Sequence, residues 1–258
     1  DVTLAWVITF YVLAGLFLLY AASNGLSFHS LPLLYPELIR DFGWSEAQVT
    51  LPATVFFVVG ALTSPPAGAL LDRYSARAVI TIGAVGMVLC LATYGFVTGL
   101  WQLVTLYAVL GVSLSLGGLV SNMVVLSRWF ERLRGRAVGI LLMASSLGGV
   151  VFPLVMGAAI EAVGWRGAVG LLACIAALML FLPLLFLVRD RPEDFGLTPD
   201  GGMPRDADSG DPSAETERSA RGVTLRQALR QPLFYLLVVA TAAVWFSIIA
   251  LTQHQSIH

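Results

Sequence analysis

The sequence predicts an all-α fold: a polytopic bundle of membrane-spanning helices, truncated after about seven spans. Three observations predict it. Of the 258 residues, 57% are hydrophobic and only 12% are charged, with a mean hydropathy of +0.83. A water-soluble domain carries about 25% charged residues, so this chain has too few to coat a surface facing water. Runs of about 20 apolar residues, long enough to cross a bilayer, recur along the chain. The basic residues, all arginine, gather in alternate links between those runs.

Seven spans are expected, at roughly 4–28, 48–71, 77–97, 101–127, 136–161, 166–188 and 231–252. Most links are short, so consecutive helices should be antiparallel neighbours. The second-to-third link holds Arg73 and Arg77. The fourth-to-fifth holds Arg128, Arg132, Arg134 and Arg136. The sixth-to-seventh holds seven more, from Arg189 to Arg230. The alternate links hold only Arg40 and Arg166. Basic loops stay cytoplasmic, which puts the N-terminus and these three links inside. The polar stretch RDADSGDPSAETERSARG cannot bury enough apolar surface to fold alone. The expected organisation is therefore a six-helix bundle over 1–188, a flexible cytoplasmic linker over 189–223, and a short interfacial helix with the seventh span over 224–258. Thr224 is the expected N-cap of that interfacial helix.

One short stretch carries more than topology. In GALLDRYSAR, residues 68–77, Asp72 ends a stripe made by Gly60, Ser64 and Gly68 at four-residue spacing. Small residues on one helical face admit a second helix backbone. Asp72 sits at a helix C-terminus, where the dipole favours arginine and not aspartate. It therefore calls for a partner beyond its own helix. The alternative is a solvated charge flanking a span.

GALLDRYSAR resembles the cytoplasmic signature of the major facilitator superfamily, Gly-x-Leu-x-Asp-Arg-x-x-x-Arg, at Gly68, Leu70, Asp72, Arg73 and Arg77. DFGWSEAQV (41–49), RWFERLRGRAVGI (128–140), GWRGA (164–168) and RDRPEDFGLTPDG (189–201) are similar to its monocarboxylate transporter branch, including oxalate/formate-antiporter-like members. The resemblance implies twelve spans in two bundles, with most of the C-terminal bundle outside this sequence. It implies that Gly68, Asp72, Arg73 and Arg77 form a cytoplasmic gate motif between bundles. It also implies that Arg132, Arg134, Gly135 and Arg136 belong to the branch's fifth-helix entry motif. Charge anchoring alone would account for the same arginines. At His29 the branch resembled has a lysine engaged in proton and substrate handling.

Few polar groups enter the spans. His29 lies near the far end of the first span, before Pro32 and Pro36. A titratable histidine there is a pathway candidate, and an interfacial histidine is the plainer alternative. GLSFHSLP (25–32) aligns without gaps on ALTQHQSI (250–257), pairing His29 with His254, as parallel transporter repeats would. Tyr20, Asn24 and Ser27 share one helical face, but on an ideal helix His29 lies half a turn from Tyr20. Asn122 and Ser115 share a face of the fourth span, as pathway groups or as helix-to-helix glue. Cys90 and Cys174 lie in separate apolar runs and read as small apolar core residues.

No hydrolase elbow, metal-ligand pattern or phosphate-cradling loop occurs. No catalytic residue, metal, cofactor or nucleic-acid partner is therefore expected. The expected protein is a secondary transporter of a small carboxylate, proton-coupled or anion-exchanging, in the bacterial inner membrane. Its partners would be a small organic anion, the bilayer and its own C-terminal bundle. A transporter of another metabolite or drug is the alternative, ahead of a membrane receptor or a membrane enzyme.

Overall fold

The structure, a computed structural model, describes residues 2–201 and 230–255. It divides into two compact units, Asp1–Pro204 and Arg205–His258. The first unit is helical throughout. It runs α1 (Val2–Asn24), a π-helix (Gly25–Ser30), a 3-10 turn (Leu31–Leu34) and α2 (Tyr35–Phe42), then α3 (Glu46–Arg73), α4 (Ala76–Tyr94), α5 (Leu100–Gly117), α6 (Leu119–Trp129) and α7 (Arg134–Phe186). Two short 3-10 turns follow, Pro192–Phe195 and Pro199–Gly201. In the second unit, α8 (Pro232–Gln255) covers the expected seventh span. The expected cap Thr224 and most of the linker lie outside the described residues.

Local chemistry sets the boundaries. Gly43, at φ 66°, ends α2 in the left-handed region that glycine enters freely. Ser45 and Gln48 cap each other at the start of α3. Ser75 opens α4 by accepting the Ala78 N–H at 3.3 Å. α7 is 53 residues long. A straight helix of that length would reach about 80 Å, more than twice the apolar core of a bilayer. Gly164, at φ 74° and ψ 166°, reverses the chain, so α7 is two antiparallel legs joined with almost no loop. This matches the separate spans expected at 136–161 and 166–188. Among the described residues, five helical stretches are long and apolar enough to cross a membrane. Dividing α7 at Gly164 gives six crossings.

Two expectations change. The fourth span is not one helix: Gly118, at φ −87° and ψ −149°, separates α5 from α6. The first span does not stop near residue 28, because its helical path continues through the π and 3-10 turns to Phe42.

The core forms where α1 packs on α7, α3 on α5, and α4 on both α5 and α7. Backbones approach closely there. A Cβ added to Gly111 would lie 2.6 Å from the Phe56 carbonyl oxygen, and one added to Gly148 would lie 2.3 Å from that of Ala21. Neither contact is tolerable, so the α3–α5 and α1–α7 crossings depend on these two glycines. Cys90 is buried as expected, whereas Cys174 is exposed.

Candidate functional site

The most polar stretch inside the bundle lies where α1 changes its winding. Pro32 has no N–H and its ring crowds the preceding turn. The chain responds with the π-helix over Gly25–Ser30, and Ser30 Oγ donates to the Gly25 carbonyl at 2.9 Å. A π-turn advances each residue by less than an α-turn does. This narrows the half-turn offset of His29 from Tyr20 without removing it, and no hydrogen bond joins His29 to Tyr20 or Asn24 among the described residues. Tyr20 is buried, and Asn24 Nδ2 donates to its hydroxyl at 3.2 Å. Ser27 Oγ is buried without a partner among the described residues.

His29 is half-buried. Its ring meets Phe28 edge-on, with centroids 4.9 Å apart and planes at 79°. It also faces Gly149: a Cβ built there would lie 3.1 Å from the imidazole Nε2. No hydrogen bond to either ring nitrogen occurs among the described residues. His254 lies in α8, and its side chain is outside the described set.

Asn122 hydrogen-bonds beside the break between α5 and α6. The break at Gly118 frees the Gly117 carbonyl, whereas the Gly118 carbonyl still accepts the Asn122 backbone N–H at 3.2 Å. Asn122 Nδ2 donates to the carbonyls of Gly117 (3.1 Å) and Gly118 (2.8 Å). Its Oδ1 is buried with no partner among the described residues. Ser115 is helix-to-helix glue, its Oγ donating to the Gly60 carbonyl of α3 at 2.9 Å. The break also ends the regular helical register that would put Ser115 and Asn122 on one face.

The two ends of the bundle are built by the segments quoted above, which bind one another. At one end Trp165 Nε1 donates to Asp41 Oδ2 at 2.7 Å, joining GWRGA to DFGW. Arg166 Nη1 donates to the Gly95 carbonyl at 2.7 Å, beside the C-terminus of α4, and its guanidinium lies 4.4 Å from the Trp165 ring centroid. A cation suits that helix end. Asp41→Ala should cost about 1.5 kcal/mol, the lower end for a charged hydrogen bond because Asp41 is partly exposed. Thermal unfolding in detergent measures it, and an unchanged midpoint would refute it.

The opposite end carries the arginine-rich turns. Asp72 and Arg73 are exposed. Asp72 has no ion pair or hydrogen bond among the described residues. The neighbouring Arg128 reaches the Leu71 carbonyl at 3.4 Å instead. The small-residue stripe is only half covered. Gly60 packs against α5 near Gly111 and Ser115, whereas a Cβ on Gly68 would touch nothing within 4 Å, and Ser64 is exposed. Arg77 Nη2 donates to the Leu185 carbonyl at 3.3 Å. Arg132, Arg134, Gly135 and Arg136 are exposed where α7 begins. Together with Trp6, Leu133 and Asp200, three of them (Arg132, Gly135 and Arg136) line a cavity of about 640 Å³.

Sequence reasoning missed four anchoring groups: Asp41, Trp129, Asp190 and Asp200. All lie in the quoted segments, so the signal was present as family resemblance. The structure adds which segment each one grips.

Comparisons with known proteins agree with this architecture. The Major Facilitator Superfamily profile matches residues 12–257. The membrane sensor protein UhpC of Escherichia coli is 29% identical over 173 residues, covering 67% of this chain and 39% of that protein. Human monocarboxylate transporter 11 is 33% identical over 162 residues, covering 60% of this chain and 33% of its own. The multidrug resistance protein MdtG of Proteus mirabilis is 28% identical over 160 residues, covering 61% and 39%. The chain thus spans well under half the length of these relatives, and they do not single out the monocarboxylate branch. A solved bacterial homologue of the human lysosomal transporter Spinster, inward-facing and unoccupied, superposes with a TM-score of 0.65 at 18% identity. It covers 86% of this chain and 48% of that one, a likeness of fold.

Proposed function

The chain belongs to the Major Facilitator Superfamily, and from that premise we propose that it forms the first bundle of a secondary transporter moving a small carboxylate by alternating access. A second bundle would complete the pathway, and the two would rock about a site between them. The carrying observation is His29: a half-buried imidazole on a π-wound stretch, with both nitrogens unbonded among the described residues. Such a group can receive a proton, and once charged it can attract a carboxylate. Tyr20 and Asn24 would supply hydrogen bonds nearby, and His254 would be the counterpart of His29 in the second bundle. Charge balance would come from a co-transported proton or an exchanged anion.

The family assignment lends no support to a membrane enzyme. The placement of arginine supports an N-terminus inside the cell and, with the bacterial relatives, an inner-membrane location. Gly68, Asp72, Arg73 and Arg77 would form the cytoplasmic gate. The open lower half of their stripe supports this, because a surface of small residues ending in an unpaired carboxylate suits a second helix. Arg132, Arg134, Gly135 and Arg136 would line the entry of the fifth span.

A transporter of another metabolite or drug is the second reading, favoured by the absence of any pathway cation but His29 among the described residues. Purified full-length protein in liposomes decides between them. Uptake or exchange is expected for one or more short-chain organic acids. Transport of neutral or cationic solutes with none of the acids would overturn the carboxylate reading.

A further inference from the structure

The expected flexible linker opens with an anchored segment. Residues Arg189–Gly201 leave the second leg of α7 and cross the end of the bundle that carries Asp72. They are fixed at three places. Trp129 Nε1 donates to the Arg189 carbonyl at 2.9 Å. Asp190 Oδ1 accepts the Arg77 backbone N–H at 2.8 Å, and its Oδ2 accepts the Ser75 hydroxyl. Asp200 accepts three successive backbone N–H groups, from Glu131 (3.3 Å), Arg132 (2.5 Å) and Leu133 (3.2 Å).

The two aspartates each satisfy backbone N–H groups that lack a partner in a helix. The first N–H groups of a helix have no partner within it, and the helix dipole favours an anion there. Asp190 meets that need at the start of α4, whereas Asp200 takes up the N–H groups of the turn that precedes α7. Successive N–H groups converging on one acceptor form a nest that holds an anion. Here the anion is built into the chain. Asp200 adopts φ 61° to reach it, a conformation uncommon for a residue with a side chain. A solvated linker would need none of this.

We propose that Arg189–Gly201 is a strap joining the gate turn at Asp72–Arg77 to the turn at 130–133, with Asp190 and Asp200 as its positioning residues. Each carboxylate accepts backbone N–H groups of one turn, Asp190 the Ser75 hydroxyl as well, and neither engages the guanidinium of Arg73 or Arg132. The two turns then move as one plate, and displacement of the chain beyond Gly201 reaches both. A spacer without anchors would transmit nothing. The strap rests on the transport reading only for its effect on activity.

The test uses the full-length protein with its exposed thiols, Cys174 among them, replaced by serine. One reporter cysteine replaces Tyr74, which is 62% exposed, and another, in a separate protein, replaces Arg132. Labelling by a membrane-impermeant maleimide is timed. Asp200→Ala should speed labelling at position 74 roughly threefold or more, although Asp200 grips the other turn. Asp190→Ala should do the same at position 132. Any alanine variant that aggregates is replaced by its asparagine counterpart, which keeps the shape and removes the charge. Effects confined to the turn that each aspartate touches, or no effect, would overturn the strap. Labelling requires no substrate, so a protein that transports no acid in the liposome panel still reports on the strap.

Discussion

Replacing His29 with alanine is expected to reduce carboxylate uptake by the intact protein at least about tenfold, equivalent to about 1.4 kcal/mol of barrier, without reducing the amount of folded protein. The two halves of that expectation have separate causes. Stability should hold because the imidazole makes no hydrogen bond among the described residues and is only half-buried. Its chief contacts are the edge of Phe28 and the open face of Gly149. Transport should fall because no other side chain described in the pathway of this bundle can carry positive charge. His29→Phe separates packing from chemistry. If the ring only fills space against Phe28, phenylalanine preserves uptake and the pathway role is wrong. His29→Lys should retain more activity than alanine, because it restores a cation. Gly149→Val should act like a pathway mutation without touching His29, since its side chain would displace the ring. The measurements are initial uptake rates in liposomes and the monodisperse fraction in detergent.

Asp72→Asn should impair transport by a comparable factor while leaving the melting temperature of the protein unchanged or raised. The opposite responses follow from where Asp72 sits. A carboxylate at the C-terminal end of α3 is unfavourable to its own helix, and no described residue compensates it. Removing the charge therefore relieves the helix. In the complete protein the same charge would hold the second bundle when the gate closes, and there asparagine is the weaker partner. A purely solvated charge would give a different result: full transport and no change in melting. That outcome would remove Asp72 from the gate. Arg73→Gln and Asp72→Asn should be less than additive if both act in one closed state.

The sequence and the structure agree best where the signals are long. Span positions follow from apolar runs whose length is fixed by the bilayer. The division of α7 was legible because Gly164 stands beside Trp165 and Arg166, which mark a membrane face. The break at Gly118 was not legible. It falls inside an apolar run with no charge or proline to mark it, and Gly117 and Gly118 look like ordinary small packing residues. The contacts of Asn122 were hidden for the same reason, because its side chain bonds the two carbonyls that flank the break. The placement of His29 needed the π-helix, whose wider winding shifts the face of every residue after Gly25. Asp190 and Asp200 were obscured by composition. In a polar, acidic stretch a carboxylate reads as solvated, and its use as an acceptor for backbone N–H groups depends on turns more than 60 residues earlier in the chain, as with Asp200 and Arg132.

The reversal at Gly164 also bears on how the chain enters the membrane. The two legs of α7 share a single turning residue, with Glu161 on one side and Arg166 on the other. So short a connection gives the first leg no stretch of polar chain to wait on while the second is synthesised. The legs should integrate as a helical hairpin, each satisfying its own backbone as both leave water. Paired insertion of these two legs is the expected result, and one glycine sets the pairing.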